Sequence, residues 1–266
     1  MAMEPVEPRD RYNLRKALTI MERDIKALEK TETFILDQSV LKQYKVRILP
    51  LSLEPYDSLA PKFFTSFAPK DMPEPTEQYV DDEYDNHMIT RSCDYGRLIS
   101  NYLDSYVGNL VFDCPGVSRT WLQHQIGDYN FGDNSLWRMY KPEFGTMDIR
   151  HVSDASKPHI KCIMHNDIDV DDDHLLYGEL YTVIHIMLGQ LKLKGFVNDM
   201  VAPVLLFSLN QQHPRVIEAY FDGQELLLRH TKRYDFTYLN AAGFKTFAQW
   251  LMGDPIGDTS RNAVRT

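Results

Sequence analysis

The chain has 266 residues, enough for one large domain or two small ones with a sizeable core. Its formal net charge of −9 argues against a generally basic surface for nucleic acid or anionic membrane, although a local basic patch would not show in that total. Hydrophobic and charged fractions of 43% and 25% are those of an ordinary globular protein, and no stretch has the length or pattern of a membrane span or a signal peptide.

Cys93, Cys114 and Cys162 are odd in number and far apart, with no CxxC pair. This excludes a disulfide framework or zinc knuckle as the organising device, and it predicts a reducing home, cytoplasmic or nuclear and not secreted. From the N-terminus, Leu14, Leu18, Met21, Ile25 and Leu28 recur at helical spacing over residues 11–30. That stripe predicts an amphipathic helix, either packed on its own body or offered to a protein partner. Residues 34–53 carry no single period. Between Pro55 and Asp85 there are five prolines and an acidic run, which reads as a mobile linker. The expected division is therefore a helical arm at 1–54, an acidic loop at 55–85, a main body at 86–254 and a tail at 255–266.

In the body, Leu98, Ile99, Tyr102, Leu103 and Tyr106 mark a helix from Ser92, and Val117–Gln125 reads as a shorter one. Ser135–Val152 reads as two strands around the Pro142/Gly145 break, and His159–His165 as a third. A helix follows from Leu175 to about Leu193, with Asp171–Asp173 placed to cap it. Val204–Leu209, Arg215–Phe221 and Glu225–His230 then predict a strand meander, with Asp222-Gly223 as a two-residue hairpin turn. That turn would place Ile217, Ala219, Phe221, Leu226 and Leu228 on one face and a mixed polar set on the other. Residues 236–252 close the body as a helix. The order predicts an α+β fold: a mixed or antiparallel sheet with flanking helices, its C-terminal meander packed on a long helix.

Local signatures of chemistry are sparse. Asp167, Asp169 and Asp171 open like a calcium loop, but Asp172 stands where glycine is needed and Gly178 where the bidentate glutamate is needed. HExxH, GxSxG and glycine-rich phosphate loops are absent from the sequence. One constellation bears on catalysis. In metal-dependent nucleases of the PD-(D/E)xK class, an aspartate on one strand and an acidic-x-Lys triplet on the next hold Mg²⁺ and position the attacking water. Here Asp148 and Lys161 fall on successive strands, followed by a long helix and a strand hairpin. His159 stands at the acidic place of the triplet, and a neutral imidazole is a poor Mg²⁺ ligand. Asp148, His159 and Lys161 are thus the candidate catalytic residues, with Asp148 the metal ligand and Mg²⁺ the cofactor, under a nuclease reading only.

The block PVLLFS, RVIEAYFDGQ and RYDF, with GELYTVIHIMLGQL and RMYKPEFGTMDI before it, resembles a recurrent family of fungal intracellular proteins over Leu136–Phe236. The resemblance implies a fungal source and brings no activity, cofactor or site residue. Together these features predict a non-catalytic binding or accessory protein. The alternative is a divalent-metal nuclease or phosphodiesterase, degenerate at His159.

Overall fold

The stripe at Leu14, Leu18, Met21 and Ile25 folds as predicted, into helix α1 (Arg9–Ala27), with all four side chains buried. In the computed structural model, residues 7–54, 57–67, 72–80, 83–85, 89–114, 120–124 and 136–260 are described. After α1 come strand β1 (Ile35–Leu36), helix α2 (Gln38–Gln43) and strand β2 (Val46–Pro50). The carboxylate of Asp37 caps α2 by accepting the Val40 N–H. Helices α3 (Glu77–Val80) and α4 (Ser92–Asp113) precede strands β3 (Trp121–His124), β4 (Trp137–Arg138), β5 (Phe144–Val152) and β6 (Ile160–Asn166). Strand β7 (Leu175–Leu176) leads into helix α5 (Tyr177–Lys192). The meander β8 (Val204–Asn210), β9 (Arg215–Phe221) and β10 (Leu226–His230) follows, and helix α6 (Ala241–Met252) closes the order.

The fold is α+β. Eight strands form one mixed sheet in the order β2-β10-β9-β8-β6-β5-β3, with β4 also on β5. Strand β2 runs parallel to β10 and β6 parallel to β8, and the other pairs are antiparallel. Helices α1 and α5 cover one face, packing on Ile160, Cys162, Val204, Leu206, Ile217 and Leu228. Helices α4 and α6 cover the other, over Ile163, Leu205, Phe207 and Val216. Because both faces are covered, β6, β8 and β9 are buried at every residue, including the polar Lys161, Arg215 and Glu218.

Several expectations are corrected. Residues 7–54 form no separate arm: α1 packs on α5, β1 pairs with β7, and β2 is an end strand of the main sheet. Since α1 spends its apolar stripe on α5, that stripe is not available to a partner. The described parts of 55–85 are tied down, not loose. Tyr102 donates to Pro75 O at 3.1 Å, Tyr106 to Pro73 O at 2.6 Å and Tyr84 to Phe236 O at 2.7 Å. Trp121–His124 is a strand, not the expected helix, and residues 117–119 and 125 lie outside the described set. The aspartates before α5 cap no helix. Asp171 bonds His174 at 2.6 Å, while the α5 N-terminus is capped from within by Glu179, which accepts the Leu176 N–H at 2.8 Å.

The hairpin turn sits one residue later than expected. Phe221 pairs with Leu226, and the Asp222 N–H donates to Glu225 O at 3.2 Å, so Gly223 and Gln224 form its centre. Gly223 has φ of 98° and Gln224 stays outside the positive region, which fits a turn of II′ type rather than I′. Asp222 Oδ1 accepts the N–H groups of Gln224 and Glu225 and so holds the turn. The register moves by two residues, a whole side-chain period, which is why the predicted faces survive. The mixed face is buried too: Arg229 donates to Glu218 at 2.9 Å, and Glu218 also accepts the Phe63 N–H at 2.8 Å.

Two outcomes follow. Gly223→Val forces a β-branched residue into positive φ and should lower stability by about 1–3 kcal/mol in urea denaturation. Glu179→Gln leaves the fully buried Arg215 short of its counter-charge, and the same measurement should show a loss of about 3–5 kcal/mol.

Candidate functional site

Strands β5 and β6 bring the three sequence-predicted residues to one face through a local irregularity. Thr146 pairs with Met164 and Asp148 with Ile163, leaving Met147 as an extra residue between them. A regular strand would put Asp148 on the face of Thr146, toward α1 and α5. The bulge turns it instead toward α4 and α6, the face of Ile163, Lys161 and His159. Arg150 lies directly opposite Lys161 on the same face.

The contacts show what these groups do. Arg150 Nε donates to Asp148 Oδ2 at 2.7 Å, and Arg150 Nη2 to Asp104 Oδ1 of α4 at 3.1 Å. One guanidinium thus bridges two carboxylates. Burial pushes the Asp148 carboxyl above the ordinary range, and the Arg150 charge opposes it. Burial also raises Asp104, to about 6, with Arg150 opposing and Asp148 adding to the rise. Asp148 Oδ1 is buried without a hydrogen-bond partner among the described residues.

Lys161 is wholly buried and does not reach Asp148. Its Nζ donates to Leu251 O at 3.1 Å and to Gly253 O at 2.5 Å, and it lies 4.2 Å from the centre of the Trp121 ring. Burial depresses its pKa well below the lysine value, Arg150 lowers it further, and Asp254 opposes them. The acceptors are the last carbonyls of α6, the negative end of the helix dipole, so the lysine serves as a buried C-terminal cap. His159 Nε2 meets Ile256 O at 2.8 Å, and burial lowers the imidazole pKa to about 4. At neutral pH the ring is uncharged and donates that bond.

All three ends of these contacts lie on residues 251–256, which cross the site as a strap. Trp121 Nε1 donates to Gly253 O at 2.7 Å, Thr65 N to Asp254 O at 3.0 Å and Ile256 N to Phe63 O at 2.9 Å. The strap lies so close that a Cβ on Gly253 would stand 1.8 Å from Thr65 O. The expected tail is therefore pinned at its start, with Pro255 bridged to Phe64.

Magnesium does not fit this set. The ion asks for oxygen ligands in near-octahedral array, whereas the two carboxylates are spent on Arg150 and the third position is an imidazole bonded to a backbone carbonyl. Among the described residues there is no group of three or more His, Cys, Asp or Glu that could hold a metal ion. The acidic loop after β6 likewise spends its charges on neighbours: Asp169 on His213 and Arg233, and Asp172 on Arg233. A second charged cluster gathers at the other end of β6. Glu143 accepts from Arg91 at 2.7 Å and Arg97 at 2.9 Å, with His165 Nε2 at 3.5 Å and the Cys93 thiol at 3.6 Å. Burial raises the Cys93 pKa, so the thiol is no activated nucleophile.

Sequence reasoning missed Arg150, Asp104 and Trp121. Arg150 had a signal, since it follows Asp148 by one strand period. Asp104 and Trp121 join the site only through packing. No protein-family model, curated protein or solved structure matches the chain.

The buried neutral His159 has a pH consequence. Its folded pKa lies below the unfolded value, so the unfolded chain takes up the proton first on acidification. The stability it preserves is whole above the ordinary histidine pKa of about 6.5 and is lost as pH falls toward about 4. Thermal unfolding across that window should show a smaller acid-induced fall in Tm for His159→Gln, which retains a donor for Ile256 O, than for the wild type.

Proposed function

We propose that this chain is a non-catalytic binding or accessory protein of fungal, intracellular type, built on a core arranged like that of the PD-(D/E)xK nucleases. The likeness rests on order. A strand bearing Asp148, a strand bearing Lys161, a long helix and a strand hairpin follow one another within one sheet. The observation that carries the non-catalytic reading is the bridge of Arg150 between Asp148 and Asp104. A fixed guanidinium neutralises the carboxylates that a divalent cation would need. Lys161, which would stabilise charge on a nucleophile or phosphate, is buried beneath the end of α6 with its protons directed at carbonyls. The three cysteines are unpaired and buried, in keeping with a reducing compartment. No described helix is long and apolar enough to cross a membrane.

Calorimetric titration with Mg²⁺ and Mn²⁺, together with a cleavage assay on single- and double-stranded DNA and RNA, tests the reading on the whole chain. The expected outcome is no measurable metal binding and no metal-dependent cleavage. Robust cleavage by the wild type that Asp148→Ala abolishes would overturn it.

A further inference from the structure

The outer side of α1 carries a repeat of its own. Opposite the buried Leu14, Leu18, Met21 and Ile25 stand Arg9, Lys16 and Arg23, one heptad apart, and Lys30 continues the spacing in the 3₁₀ turn Leu28–Thr31. A heptad is close to two turns of helix, so these cations stand almost in line, drifting about 20° per step. At a rise of about 1.5 Å per residue they are about 10 Å apart. Lys26 lies beside the line, and all of these cations are exposed. Among the described residues, only Arg23 of this set has an ion-pair partner, Asp24 at 2.8 Å, and that pair is open to solvent and weak.

The acidic residues of the helix lie off this line. Glu7 accepts from Arg11 and Arg15, Glu22 lies 2.5 Å from His185 and Glu29 2.6 Å from Arg138, so these three are spent on neighbours. Asp10 and Asp24 stand on the other margin, and Glu32 lies beyond the turn. The positive strip is therefore narrow and bordered by carboxylates on both sides. Its width selects among occupants. A flat anionic membrane or a nucleic-acid duplex, each wider than the strip, would press negative charge on those borders. Tyr12 and Ile20, exposed at 51% and 42%, are too few to anchor in lipid. A second copy would set cation against cation. A single helix about 10 Å across matches the strip in width, and carboxylates at heptad spacing match it in period. Tyr12 and Ile20 stand one turn to either side of Lys16 and give such a helix an apolar foothold.

We infer that the outer face of α1 is a docking site for an acidic amphipathic helix of a partner protein, with carboxylates repeating at heptad spacing. This gives the binding reading above its partner class and rests on that reading, and it uses the face of α1 that α5 leaves free.

Fluorescence anisotropy on the whole chain tests it, in low salt because added salt screens exposed charges. Three labelled alanine-based helices serve as probes: one with glutamates at heptad spacing, one with the same glutamates spread around the helix, and one with lysines at heptad spacing. The first should bind at least about tenfold more tightly than either of the others. Lys16→Glu combined with Arg23→Glu, both exposed, should transfer the preference to the lysine probe. Lys16→Ala combined with Lys30→Ala, which keeps a good helix former at both places, should weaken the first probe without reversing the preference. Three results would overturn the inference: no binding of the first probe, equal binding of the spread probe, or affinity unchanged in both variants. Binding to phosphatidylserine vesicles or duplex DNA without binding of the first probe would assign the strip to that surface and overturn it. Self-association in sedimentation that the charge reversal abolishes would assign it to a second copy and overturn it as well. Absent helix binding with absent cleavage defeats this inference alone. Metal-dependent cleavage with helix binding intact defeats the non-catalytic reading alone.

Discussion

The wholly buried ion pair of Glu179 and Arg215 is the constraint around which the centre of the molecule is arranged. Arg215 reaches Glu179 through Nε at 2.9 Å and Nη2 at 2.5 Å, a two-pronged contact with no solvent on either partner. Burial alone would push the carboxyl upward, but the Arg215 charge, its hydrogen bonds and the Leu176 N–H outweigh that and hold Glu179 below its ordinary pKa. Asn210 adds a third donor at 3.2 Å and is itself linked to Ser208 and Asn166. One network therefore fixes the start of α5 against β6, β8 and β9. Ordinary hydrophobic burial holds the layers together without direction; this network sets their register, because a slip of any member strands a buried charge.

The same economy governs the face with Asp148 and Lys161. A buried ion survives only where its partners are supplied by the fold, and here each has been given structural partners. Arg150 is clamped by two carboxylates, and Lys161 caps the end of α6 under the Trp121 ring. The hydrogen-bonding capacity of these groups is directed inward, at the strap and at α4. Chemistry would require those protons and lone pairs to face a substrate. The face is a packing surface that holds charged residues, and residues 251–256 complete it.

What was legible in the sequence was whatever one element decides alone. The stripe of α1, the apolar runs of β8 and β9, and the helix before them are set by period and by burial on one or two faces. The parity of the meander was legible too, since any shift that keeps apolar residues inside must be an even number of residues. The turn itself was misplaced by one residue because the Asp222 side chain, accepting from Gln224 and Glu225, lies outside the turn centre. Strand β2 was hidden for another reason. It has no period of its own and becomes a strand by pairing with β10, nearly two hundred residues later in the chain. Trp121–His124 and the stretch holding Pro73 and Pro75 failed alike, through contacts made at long range. Asp148, His159 and Lys161 do lie on one face, but their contacts could not be read from the sequence, because a bulge, a helix end and a guanidinium decide them.

The two ends of the sheet differ in a way that follows from this packing. At the β3 side, Trp121 and Thr120 are fastened to Gly253 and Asp254 of the strap. At the β2 side no strand follows among the described residues, and the edge carries shortness, Pro50 and charged side chains, devices by which natural sheets blunt an edge. Those devices are not equivalent. Proline removes a donor whatever the approaching strand carries, whereas lysine and arginine repel basic strands and attract acidic ones. At this edge the two signs stand side by side, Glu54, Asp172, Asp173, Asp222 and Glu225 beside Lys42, Lys45, Arg47 and Lys62, so an approaching strand meets attraction or repulsion according to its register.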